Sequence, residues 1–362
     1  MNRTPLYIPQ QNAGATFAQL DDWEIASNFG DVATEYKAAK EGAALLDRSY
    51  FGRFRLAGKD SLDLINRLSS NKVDVLLPGA GAGTVLTTNK GRVIDVLHLF
   101  ALENHWVMLT SPQTRERIAE WIDLYTFMEE ATLEDITQTT AMITLLGPQA
   151  TALLEAVTGT ALAQLEPYSS IAITIDGVTL PLLRTDPVDV RGYDLVVPME
   201  QAQHVWSALA DPSRNITLVG EETYNILRVE AGLPRYGWEM SEQVNPWEVD
   251  LRRFINFEKG CYIGQEVILR LDTYNKVQKL LMALTFSSAG VTKWDTLRQE
   301  GKNAGTITSV VEHPISGQHI GLGLVRSAFA LPGTQLEVMN SQGSPVAQAS
   351  VRELPATPTF PS

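Results

Sequence analysis

Apolar and polar residues alternate along this chain with periods that change every ten or so positions, and each period predicts an element. Arg53-Phe54-Arg55-Leu56 alternates strictly and predicts a short strand, whereas Leu62, Ile65 and Leu68 recur at helical spacing. Asp60 or Ser61 precedes that helix and can cap it. Helical alternation also runs from Glu35 to Leu46. Thr84–Thr87 and Val93–Leu97 flank Asn89-Lys90-Gly91, which predicts a hairpin. Further on, strands are expected over Trp106–Leu109, Leu133–Ile136 and Met142–Leu145, and helices over Thr114–Phe127 and from Gly147-Pro148 through Leu154. Ile171–Ile175 and Val178–Leu183 turn about Asp176-Gly177, a second hairpin, followed by a strand at Gly192–Val197 and a helix at Gln201–Leu209. A helix over Glu221–Ala231 stops at Gly232-Leu233-Pro234, with glycine at the expected stop position.

The pattern changes after Tyr274. Lys279–Phe286, Gly301–Val311, Ile320–Val325 and Gln335–Val338 are short apolar runs separated by Gly, Pro and Ser. That spacing predicts a small β-barrel or sandwich as a separate C-terminal domain. The chain as a whole therefore reads as α+β. Pro355–Ser362 reads as a disordered tail.

Composition narrows the class. A chain of 362 residues suggests two or three domains, and 44% apolar with 20% charged residues is ordinary for a soluble globular protein. No stretch approaches the roughly 18 to 20 apolar residues that a membrane span needs, so no membrane association is expected. The opening Met1-Asn2-Arg3-Thr4-Pro5 lacks a signal pattern, and a single cysteine cannot form an internal disulfide. Both point to a reducing, cytoplasmic setting. One cysteine and five scattered histidines also offer no metal-ligand spacing, so no metal site is expected. With 29 basic against 42 acidic residues the formal charge is −13, which argues against direct DNA binding. Local basic clusters at Arg252-Arg253 and Lys276–Lys279 suit a small anionic ligand or plain solvation.

Two stretches carry candidate chemistry. The lone cysteine lies in Lys259-Gly260-Cys261-Tyr262-Ile263-Gly264-Gln265-Glu266, between two glycines that permit tight turns and ahead of an amphipathic run. A thiol beside a lysine and a helix N-terminus is placed to become reactive, although a lone cysteine is more often a small buried hydrophobe. The other stretch is Val93-Ile94-Asp95-Val96-Leu97, where a carboxylate interrupts an apolar strand. Its plain alternative is a residue on the polar face of an edge strand.

The motif from Lys259 to Glu266 closely resembles the signature of the YgfZ family, folate-binding proteins related to the T-protein (aminomethyltransferase) of the glycine cleavage system. The likeness extends over nearly the whole chain. Leu46-Asp47-Arg48-Ser49 and Arg55–Asp60 look like the opening of a folate-binding domain, and Leu146–Ala150 like a family turn before a helix. Gly91-Arg92-Val93-Ile94-Asp95 resembles the stretch whose aspartate assists transfer beside the folate; Gly192-Tyr193-Asp194 resembles the region that gives an acidic residue to the pterin. Leu227–Gly232 and Tyr236–Met240 are similar to the linker helix, and Ala304–Ser309 and Gly321–Val325 to the C-terminal barrel. The departures are Val96 in place of a second aspartate, Tyr224 in place of an arginine, and Asp186-Pro187-Val188-Asp189 in place of Gly-Tyr-Thr-Gly.

The resemblance implies three domains packed in a ring around a central folate channel. The corresponding boundaries are an N-terminal segment at 1–50, α+β domains at 51–145 and 146–275, a barrel at 276–355 and a disordered tail at 356–362. It implies tetrahydrofolate, or another reduced folate, as cofactor and a monomeric state. Asp95 would act as general acid or base, or stabilise positive charge, beside N5 or N10 of the folate. Asp194 would accept two N–H groups of the pterin, with a solvent-facing strand residue as the alternative. Phe51 and Tyr262 would wall the ring, unless they are ordinary core aromatics. Arg228 or Lys259 would meet the glutamate tail, with a structural ion pair as the alternative for Arg228. Cys261 would be a nucleophile or a thiol poised near the folate. Two functions follow from the resemblance. The first reading is a YgfZ-like protein that supports assembly or repair of iron–sulfur clusters in client enzymes, including tRNA-modifying ones. The second is a folate-dependent aminomethyl or one-carbon transferase served by a lipoylated carrier protein. Cys261 favours the former; Asp95 suits the latter, which Val96 and Tyr224 weaken. Whether the chain is an enzyme is left open by the sequence.

Overall fold

The computed structural model describes residues 1–274 and 276–356. They group into two compact units. The first takes Met1–Thr84 and Val96–Tyr224, and the second takes Val85–Asp95 and the chain from Asn225 onward.

A six-stranded sheet centres the first unit, in the order Ser169–Ile175, Val178–Arg184, Gly192–Pro198, Thr140–Leu146, Ala44–Asp47, Thr217–Leu218. Strand periodicity sends Tyr193, Leu195 and Val197 to one face, where Leu154, Val205, Trp206 and Leu209 of the helices Ala150–Thr158 and Ala202–Leu209 cover them. Each fully buried side chain of this size contributes about 1.5–3 kcal/mol. The other face sets Met142, Leu183 and Val196 against Phe100, Val107 and Leu109 of a second sheet. That sheet runs Gly81–Thr87, Val93–Ala101, Trp106–Thr110, Gly52–Ala57, Thr132–Asp135. A third, small sheet orders Asn2–Arg3, Trp23–Asn28 and Thr16–Leu20. The carboxylate of Asp47 ties the N-terminal residues down, accepting from Thr4 Oγ1 and Gln10 Nε2 at 2.5 Å each.

Two sequence expectations change here. The helix expected over Glu35–Leu46 ends at Glu41, where Gly42 donates its N–H to Ala38 O, and Ala44–Asp47 is a strand. All four of its residues are buried. A strand covered on both faces is an unbroken apolar run, and such a run has no period to separate it from a helix. For the same reason Asp95 does not lie on an exposed polar face. Val93–Ala101 is an interior strand, and Asp95 is 0% exposed.

The second unit contains a closed barrel, in the order Lys279–Phe286, His319–Arg326, Lys302–Glu312, Thr296–Gln299, Gln335–Met339, Pro345–Arg352. Leu284, Leu297, Ile307, Val325, Leu336 and Val351 fill it. Closure removes the open strand edges that a sandwich would leave. The strands Thr296–Gln299 and Pro345–Arg352 are too polar to stand out in the sequence. Of the segment expected to be a disordered tail, Ala356 is buried and donates its N–H to Glu230 O at 2.7 Å, while 357–362 lie outside the described residues. Among the described residues no helix is long and apolar enough to cross a membrane.

Candidate functional site

In the second unit the hairpin tip carrying Asp95 is clamped to the loop carrying Cys261. Thr87 Oγ1 donates to Ile263 O at 2.7 Å, and Val93 N donates to Val244 O at 3.0 Å. Arg92 Nη1 donates to Gln243 O at 2.9 Å. Gly264 makes the close approach possible. Its φ is +85°, and a Cβ there would stand 2.5 Å from Thr88 O and 3.1 Å from Gly91 Cα. Only glycine satisfies both conditions. The helix Gln265–Thr273 starts immediately after it, as its sequence predicts. Gly260 differs: a Cβ there meets nothing within 4 Å, and its φ is not positive. Of the two glycines around the cysteine, one is therefore required by the fold and the other is not.

Cys261 is free and exposed, so the buried-hydrophobe alternative does not apply. Lys259 and Tyr262 beside it are buried, while Gly260 is exposed. Lys259 is 6% exposed, and its Nζ lies 5.2 Å from the centre of the Tyr262 ring. The Tyr262 hydroxyl has no hydrogen-bond partner among the described residues, and burial pushes its pKa up to about 12. Around the loop, exposed Arg252 lies over the rings of Trp247 and Phe257 at 5.2 and 5.0 Å and pairs with Asp272 at 3.1 Å. Among the described residues no group of three or more His, Cys, Asp or Glu side chains is placed to hold a metal ion.

Arg228, also in this unit, sits in a closed network. Its Nη1 donates to Glu239 at 2.9 Å, Nη2 to Ser309 Oγ at 2.6 Å and Nε to Asn225 Oδ1 at 2.9 Å. Ser309 Oγ and the Arg235 N–H complete Glu239, at 2.5 and 2.9 Å. This is the structural ion pair named above as the alternative to binding a glutamate tail.

The first unit brings Phe51 and Asp194 together through a residue to which the sequence gave no role, Arg48. Strand register sets Thr144 opposite Leu46 on one side and Asp194 on the other. Asp194 is fully buried, so it is not a solvent-facing strand residue. Its Oδ1 accepts from Thr144 Oγ1 at 2.5 Å, its Oδ2 from Thr185 Oγ1 at 2.8 Å, and both accept from Arg48 Nη1 at 3.2 Å. The Arg48 guanidinium lies 4.1 and 5.0 Å from the centres of the Phe51 and Tyr224 rings, which stand edge to face at 81°. Burial opposes its charge, but Tyr224, Asp194, Tyr50 and Glu221 favour it and the balance raises its pKa. The turn that presents Arg48 is pinned by fully buried Arg53, which donates to the carbonyls of Ser49, Phe51, Thr137 and Thr140. Burial lowers the Arg53 pKa to about 10, so it stays charged at neutral pH. The sequence signal for Arg48 itself is the Arg48-Ser49-Tyr50-Phe51 run, a cation followed by two aromatics at the end of a strand.

Comparison with known proteins accounts for both units. The GCVT N-terminal domain matches residues 6–259, and the glycine cleavage T-protein C-terminal barrel domain matches residues 279–356. An aminomethyltransferase of Symbiobacterium thermophilum is 31% identical over 353 residues, 94% of this chain and 93% of that protein. One from Desulfitobacterium hafniense is 29% identical over 343 residues, 94% of each chain. The crystal structure of the glycine cleavage system aminomethyltransferase T from Bartonella henselae superposes with a TM-score of 0.89, at 20% identity and over 99% of both chains, which establishes the fold. With both of its domains matched along the sequence, this chain belongs to the glycine cleavage T-protein family.

Proposed function

We propose that this chain binds a reduced folate and acts as a folate-dependent aminomethyl or one-carbon transferase of the T-protein type. The observation that carries this reading is the family match along both units, with relatives named aminomethyltransferase over nearly their full length. These relatives favour transfer, the second of the two functions implied by the sequence, over iron–sulfur assembly. A reduced folate supplies two nitrogens, N5 and N10, that carry one-carbon units. Residues of the first unit suit such a ligand. Arg48 Nε is a buried polar atom without a partner among the described residues, and Phe51 is a half-buried aromatic beside it. In this reading Asp95, fully buried in its strand, gives or takes a proton or stabilises positive charge beside the folate. Lys259 and Tyr262 order the loop next to it, and Arg228 is structural. The chain would work as a monomer in a reducing, cytoplasmic setting, with a lipoylated carrier protein as donor.

One observation favours a second reading, the YgfZ type serving iron–sulfur client enzymes, tRNA-modifying ones among them. Cys261 is exposed within the full eight-residue motif, on a loop anchored by Gly264. An aminomethyl transfer needs no thiol of the protein. One pair of assays separates the readings. Tetrahydrofolate and an aminomethylated lipoyl carrier protein are supplied and ammonia release is followed in wild type, Asp95→Asn and Cys261→Ala. Steady release lost in Asp95→Asn and kept in Cys261→Ala is the result expected of the transferase. No release by wild type, with complementation of cells lacking their own YgfZ-type protein that fails for Cys261→Ala, would replace it with the second reading.

A further inference from the structure

Asp194 is the residue that the family resemblance offers to the pterin, yet its carboxylate is already occupied. Two threonine hydroxyls and Arg48 Nη1 make four contacts to its two oxygens, and its side chain is 1% exposed. Arg48 is in the opposite state. Its side chain keeps 7% exposure, and Nη1 makes its only hydrogen bonds among the described residues. Nε is buried and makes none. A guanidinium presents five N–H donors in one plane, so the edge away from Asp194 still holds uncommitted donors. Phe51 and Tyr224 pack against the guanidinium on two adjacent sides, their rings nearly perpendicular to each other.

We propose that Arg48, oriented by Asp194, is the residue of this cluster that reads the ligand, and that it donates to a neutral carbonyl edge of a flat heterocycle, the 4-oxo side of a reduced pterin. The proposal rests on the folate reading above and adds the residue and the selectivity. Local charge separates a carbonyl from a carboxylate. Arg48 faces Asp194, and Tyr50 Oη next to it donates to Glu221, so two acids already bear on this cation. A further anion would compete with both for it, whereas a neutral acceptor would not. The geometry has a general precedent: a guanidinium fork reads a ring carbonyl beside a ring nitrogen in guanine. A reduced pterin keeps the carbonyl of that pair, its 4-oxo group, while N5 of tetrahydrofolate bears a hydrogen, so the carbonyl is the acceptor to be read.

The test compares tetrahydrofolate with its 4-amino-4-deoxy analogue, in which an N–H donor replaces the carbonyl. Dissociation constants are measured for wild type, Arg48→Met, Arg48→Lys and the double variant Arg48→Met/Asp194→Asn, with folding checked by circular dichroism. Wild type is expected to prefer the 4-oxo ligand by about 10- to 100-fold, the worth of a hydrogen bond to a charged group. Arg48→Met and the double variant should bring the two ligands to within about threefold, and Arg48→Lys should keep part of the preference. The double variant leaves no buried carboxylate unpaired and carries the test if Arg48→Met fails to fold. A wild type without preference, a preference that survives in Arg48→Met, or a loss equal for both ligands overturns the proposal and leaves folate binding standing. Failure of wild type to bind either ligand overturns the folate reading and the proposal with it.

Discussion

Arg228 and Arg48 are both buried arginines facing buried carboxylates, and they end in opposite states. Arg228 spends Nε, Nη1 and Nη2 on Asn225, Glu239 and Ser309, and Glu239 is completed by Ser309 and the Arg235 amide. Asp194 is likewise completed, by Thr144 and Thr185, but Arg48 spends one nitrogen and is otherwise held by two rings. A buried charge left with unused donors costs free energy unless something else satisfies it. The closed network is therefore scaffold, and the open one is where a ligand has something to gain. The same contrast divides the two glycines around Cys261: the fold needs Gly264 and leaves Gly260 facing open space.

The largest effect should come from breaking the closed pair. Arg228→Met leaves Glu239 buried without its cation, and urea unfolding should show a loss of about 3–5 kcal/mol. Arg48→Met should cost less, about 1–3 kcal/mol, because it gives up the hydrogen bonds of one nitrogen where Arg228→Met gives up those of three. If the two variants unfold at the same denaturant concentration, the distinction between closed and open pairs is lost. Gly264→Ala should cost about 1–3 kcal/mol, through its positive φ and the contact with Thr88 O. Gly260→Ala should stay within about 0.5 kcal/mol of wild type. A reversed order would mean that the hairpin tip is not clamped to the loop as described.

The smallest effect concerns Tyr262. Its folded pKa is raised to about 12 by burial, above the ordinary value of 10.0. The neutral phenol is thus favoured in the folded state, and its contribution to stability is fully present below pH 10. Between pH 10 and 12 the unfolded chain loses this proton first, so stability falls as pH rises. Melting temperatures of Tyr262→Phe should fall less steeply than those of wild type across that window. Parallel curves would remove the buried, unpartnered hydroxyl from the account.

Much of the fold was legible from period alone. The hairpin about Asn89-Lys90-Gly91, the strand Gly192–Pro198 and most barrel strands follow from alternation and turn residues. Ala44–Asp47 and the burial of Asp95 did not, because a strand's neighbours decide how many of its faces are covered. The family and the Asp95 and Cys261 stretches were visible as motifs. Arg48 was not, for a different reason: its partner lies 146 residues away, and only the pairing of Thr140–Leu146 with two other strands brings them together. Local pattern predicts which residues face inward. Which buried donors remain unused depends on register and on partners distant in the chain.

Everything proposed for this T-protein family chain requires that it hold a reduced folate. The most direct test is a titration of the purified wild-type protein with tetrahydrofolate under anaerobic conditions, followed by intrinsic tryptophan fluorescence. Saturable binding with one folate per chain is the predicted result. A signal that stays linear to high micromolar folate, with no saturation, would contradict the account and leave a T-protein scaffold without its ligand.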